Sequence, residues 1–152
     1  MIIELGLSAF IAIIPTTASS TIHVQNVAAA RAAASLPSEW QPFRDCVAAR
    51  ESSGRYDAQN PVSSAQGKFQ FLDSQWRHGG GWNVWKRLLA NGYDRNTAKR
   101  LLSRLHATPI KQWRPVYQDI LFASVVTSRQ GMGWRHWHLA GSRCNTLVPN
   151  KN

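Results

Sequence analysis

Acidic residues are scarce in this chain. Asp and Glu together number 8 against 18 Lys and Arg, which leaves a formal net charge of +10 over 152 residues. A cationic partner is therefore disfavoured, and an anionic one is implied: nucleic acid, a membrane surface or an acidic polymer. The charge carries no information about fold. Concentrated basic stripes are missing as well. Arg and Lys scatter from Arg31 to Lys151, with only short doublets such as Lys86-Arg87 and Lys99-Arg100. No groove-reading motif accompanies them, which argues against a nucleic-acid-binding protein. A solvated basic surface is the plainer reading of the same charge.

Long apolar runs are absent too. Leu5–Ile14 is apolar but too short to cross a bilayer, so no stable membrane span is expected. Pro15-Thr16-Thr17-Ala18 follows, with small residues where a signal peptidase would cut, although the preceding segment carries Glu4 and no Lys or Arg. Residues 1–18 are expected to be a signal peptide; the alternative is an N-terminal helix that packs on the domain. Cysteine is limited to Cys46 and Cys144. An even count in an exported chain suggests one disulfide, whereas a cytosolic chain would keep two buried thiols. There is no Gly-rich phosphate loop, since Gly79-Gly80-Gly81 reads as a turn. His136 and His138 form an i, i+2 pair with no further ligand nearby, so neither a metal nor a cofactor is expected.

What remains is a globular composition, 43% hydrophobic with seven tryptophans. Residues 19–37 read as an Ala-rich linker, able to form a helix but with too little bulk to anchor a core. The domain is placed at residues 38–148, followed by a short tail at 149–152. Its expected class is α+β and mainly α. Ser38 is suited to cap a first helix whose stripe runs Trp40, Phe43, Val47 and Glu51, and Gly54 ends it. Residues 55–72, with Asn60-Pro61, Gly67 and the alternating Phe69 and Phe71, read as a small β-hairpin element. Ser74–Trp76 starts a short helix that the three glycines break. Asn96 or Thr97 caps a basic amphipathic helix with Leu101, Leu102 and Leu105. Pro115 opens a further helix through Val116, Ile120, Ala123 and Val125-Val126, and Gly131 and Gly133 end it.

Glu51 is the residue that asks for chemistry. A carboxylate on an apolar stripe is costly to ionise, so its pKa is expected to rise. Glycoside cleavage uses such a group to protonate the leaving oxygen. The competing reading is a structural Glu paired with Arg50 or Arg55. Around it run Glu51-Ser52-Ser53-Gly54, Gly67-Lys68-Phe69-Gln70-Phe71 and Ser74-Gln75-Trp76. Later come Gly133-Trp134-Arg135-His136-Trp137 and Cys144. This order resembles the lysozyme-like superfamily, and within it the transglycosylase-like domains of actinobacterial resuscitation-promoting factors and related wall enzymes, some of them phage-borne.

The resemblance spans residues 38–148. It implies a lysozyme-like fold, Glu51 as the catalytic acid, a Cys46–Cys144 disulfide, and peptidoglycan with its anionic wall polymers as partner. A monomer, secreted or wall-associated, would follow. Two departures stand out: Cys46 lies five residues before Glu51 rather than next to it, and the stretch from Trp85 to Trp113 looks like an insertion. Gln70, Tyr56, Ser53 and Trp76 are candidates for substrate binding, by hydrogen bonds or ring stacking, although tryptophans more often belong to the core. Trp134 and Trp137 are expected to pack beneath the cleft. A second carboxylate is not evident. Asp45, Asp57 and Asp73 are the nearby candidates, with Asp57 the best placed. Two-carboxylate glycosidases need such a partner. Its absence favours a lytic transglycosylase, in which one Glu serves as acid and then base, over a hydrolytic muramidase. An inactive wall-binding module of the same fold remains a further alternative.

Overall fold

The computed structural model describes residues 17–128 and 133–149, with side chains from Asn26 onward. The expected signal segment up to residue 16, Gly131 of the expected closing turn and residues 150–152 lie outside the described residues. The architecture is mainly helical. Its helices are α1 (Thr17–Ala34), α2 (Gln41–Ser52), α3 (Asp73–Gln75), α4 (Gly81–Ala90), α5 (Arg95–His106) and α6 (Pro115–Val126).

The sequence of α6 sets the centre. Gln118, Ile120, Leu121, Phe122, Ala123, Ser124 and Val126 are all buried, so the helix is enclosed on almost every side. Pro115 is its first residue, where a missing N–H leaves no bond unmade. Helices α1 and α4 pack against it, and α5 packs on α4. Phe122 stacks on Phe69 with ring centroids 4.2 Å apart and meets Trp137 at 4.6 Å. The indole N–H of Trp137 donates to the Phe69 carbonyl at 2.9 Å.

Residues 19–37 differ from the expected linker. Most of the segment is α1, and Ala30, Ala33 and Leu36 are buried in the main core. Small side chains are what let this helix approach α6 closely; bulk was the wrong criterion. Arg87 on α4 fastens its end, donating to the carbonyls of Ala33 and Ser35. Three starts also differ. Ser38 opens a 3₁₀ turn, Ser38–Trp40, rather than capping α2. Asp94 caps α5 by accepting from the Thr97 N–H at 2.9 Å. The three glycines do not simply break a helix: a kinked turn, Trp76–Gly80, passes directly into α4 at Gly81.

The expected β-hairpin is reduced to isolated antiparallel bridges, Gln59 with Gln66 and Gln66 with Phe71. Left-handed residues interrupt any strand: Gly67 at φ 77° and Gln70 at φ 51°. Phe69 and Phe71 are both buried because the chain turns between them, not because they share a sheet face. Gln118 holds that turn from α6. Its amide donates to the carbonyls of Tyr56 and Ile110, each at 2.9 Å, and its oxygen accepts from the Lys68 N–H at 2.9 Å.

Candidate active site

Glu51 stands in the last turn of α2 with its side chain 26% exposed. The helix ends just beyond it, at left-handed Ser53 and Gly54. Arg50 grips the carboxylate: its Nε and Nη2 both donate to Glu51 Oε1, at 2.9 and 2.5 Å. The same guanidinium donates to the Trp137 carbonyl and to the Ser142 hydroxyl, each at 2.8 Å. One turn back on the same helix, Cys46 is joined to Cys144, with Cα atoms 5.5 Å apart. Arg50 and the disulfide thus pin the C-terminal segment along one face of α2. The separation between Cys46 and Glu51 is accommodated because Arg50, not Glu51, is the helical neighbour of the cysteine.

His136 lines a cleft and lies within electrostatic reach of Glu51. It lies over Phe71, centroids 5.4 Å apart, and feels the Glu51 charge. Burial pushes its imidazole below the ordinary value, favouring the neutral form, with Glu51 pulling the other way. The cleft encloses about 560 Å³, and its walls include Gln75, His78, Asn83, Ser128 and Arg135. No carboxylate lines this cleft among the described residues; Glu51 stands outside its lining, and its charge reaches the lining residue His136.

The other expected residues separate. Trp76 is buried, its ring packed between His106 and Trp113 at 4.7 Å each; it supports the cleft and offers no open platform for a sugar. Ser53 is exposed. Gln70 turns its amide onto the Gly67 carbonyl at 2.9 Å. Asp57 is exposed, and Asp45 and Asp73 are engaged by Arg44 and Arg77. Trp137 is buried and Trp134 half-buried against Phe43. Among the described residues no His, Cys, Asp and Glu group is assembled for a metal.

Tyr56 belongs to a polar cluster that the sequence did not reveal. Its hydroxyl donates to Asp119 Oδ2 at 2.9 Å and accepts from Lys68 Nζ at 3.1 Å. Asp119 Oδ1 is buried without a hydrogen bond, the Lys68 ammonium standing 3.9 Å away. Burial pushes the Asp119 carboxyl above its usual range, against the pull of the Tyr56 bond and of Lys68 and Arg44. Burial and Asp119 together push the Tyr56 phenol up. An Asp on an otherwise apolar helix was the available signal, of the same kind that drew attention to Glu51. No known family, curated protein or solved structure matches the chain.

Proposed function

We propose that this protein is a lysozyme-like peptidoglycan glycosidase of the lytic transglycosylase kind, with Glu51 as its catalytic acid. One observation carries the reading. A single carboxylate, held at Oε1 by Arg50, acts electrostatically on His136, which lines a polar, aromatic cleft. Oε2 accepts no hydrogen bond among the described residues. The motif order from Glu51-Ser52-Ser53-Gly54 to Cys144 supports the same assignment.

In this reading the glycan lies along the cleft with the β-1,4 bond between N-acetylmuramic acid and N-acetylglucosamine next to Glu51. Glu51 protonates the bridging oxygen as an oxocarbenium-like state develops, then takes the proton from the muramyl 6-hydroxyl, which closes a 1,6-anhydro ring. His136 is placed to hydrogen-bond the sugar without competing for positive charge. Among the described residues no carboxylate lines the cleft, which favours transglycosylation over hydrolysis.

A second reading has one observation in its favour: the Arg50 pair occupies Glu51 as a structural ion pair would. A wall-binding module without turnover would look this way. Digestion of isolated peptidoglycan separates the two. Glu51→Gln keeps shape and hydrogen-bonding capacity but has no proton to donate. It should lower turnover by about 10²–10⁴-fold and leave glycan binding near wild type. Asp57→Asn should change little. Wild-type protein that binds walls but releases no fragments would establish the binding module instead.

A further inference from the structure

The structure has a second concave site, remote in composition from the first. We propose that the basin between α1, α5 and the start of α6 binds a phosphate-headed lipid. The basin encloses about 540 Å³. Its rim carries Arg31, Arg100, Arg104 and Arg114, and no Asp or Glu lines it among the described residues. Three of these guanidiniums, those of Arg31, Arg104 and Arg114, belong to exposed residues and enter none of the ion pairs among the described residues. Among the described residues Arg100 donates to the Thr97 hydroxyl at 2.9 Å, and its charge reaches Asp94, which already accepts from the Thr97 N–H.

Four cations lining one basin, with no carboxylate in its described lining, repel one another, so an anion with several oxygens relieves the arrangement. A phosphate accepts from several such forks at once. The floor then decides between a free anion and an amphiphile. Val27, Ala30, Leu101 and Val116 supply the apolar part of the lining, together with the rings of Tyr93 and Tyr117. Val27 remains 37% exposed, an apolar group held open at the base of a cationic ring. A free phosphate would leave that floor wet. A lipid phosphate covers it with the first carbons of its chains, each buried methylene adding to affinity. Tyr117 presents a hydroxyl among the same residues, a donor suited to the headgroup or glycerol oxygens.

Calorimetric titration of the full chain tests this with dihexanoyl phosphatidic acid, kept monomeric, against inorganic phosphate. The lipid should bind at least about tenfold more tightly than phosphate. Arg104→Glu/Arg114→Glu should weaken lipid binding by about tenfold or more, as expected when charge-assisted contacts are lost. Both side chains are exposed, so the fold should survive, and circular dichroism checks that it does. Val27→Asn should weaken the lipid and leave phosphate unchanged. Lys86→Glu/Arg143→Glu, the same charge change outside the basin, should leave lipid binding within about twofold. Equal affinity for lipid and phosphate, an equal loss in the Lys86/Arg143 control, or no lipid binding would each overturn the proposal.

Discussion

Gly67 meets two separate requirements. Its φ of 77° lies where L-residues are strained, and a Cβ there would fall 2.3 Å from the Gln118 side-chain oxygen. Gln118 cannot move aside without releasing the Tyr56 and Ile110 carbonyls. Gly67→Ala should therefore destabilise the fold by about 1–3 kcal/mol, read from urea unfolding. Asp119 gives a pH signature. Its folded pKa is raised, so the native state holds the proton more tightly than the unfolded chain does. That contribution is complete below about pH 4, the unfolded value, and is lost as pH rises through the folded pKa. Asp119→Asn removes the dependence, so its stability relative to wild type should improve between pH 4 and 7. A constant difference across that range would show that Asp119 is not so perturbed. The cysteine pair was readable because a count is a local fact. Gln118 and Asp119 were not, because their partners Tyr56 and Lys68 lie some 50 to 63 positions away and the apolar pattern of α6 hides its polar members.

At the scale of elements, α1 is the instructive case. Alanines supply little transfer free energy, so composition alone argues for a linker, yet a smooth face buries well when the opposing helix is as apolar as α6. What composition does not contain is Arg87, 54 and 52 residues from the two carbonyls it satisfies at the end of α1. Burial lowers the pKa of its guanidinium without discharging it. Arg87→Ala should destabilise the protein by about 1–3 kcal/mol by stranding those carbonyls, and should speed hydrogen exchange in α1 more than in α6. Equal changes in both helices would mean that α1 is not separately fastened. The hairpin failed for a different reason. Alternating Phe69 and Phe71 satisfy a strand pattern, but a left-handed Gln70 between them turns the chain, and single-residue φ is not encoded in hydrophobic period.

For the whole molecule, the helical class, the Pro115 start and the disulfide followed from the sequence. The Cys46–Cys144 bond spans 98 positions, which in the chain-entropy model is worth up to about 4–5 kcal/mol. Its partner in the design is Arg50, which ties the same C-terminal segment to the carboxylate of Glu51. The net charge of +10 would keep such a molecule on an anionic wall through screened, salt-sensitive attraction. The central claim is chemical: one carboxylate, acting as acid and then base, cleaves the glycan without water. Mass spectrometry of fragments released from purified peptidoglycan tests it most directly. The account predicts muramyl ends about 18 Da lighter than reducing ends, one water short, from the wild type and none from Glu51→Gln. Reducing ends from the wild type would contradict transglycosylation, and equal release by Glu51→Gln would remove Glu51 from the chemistry.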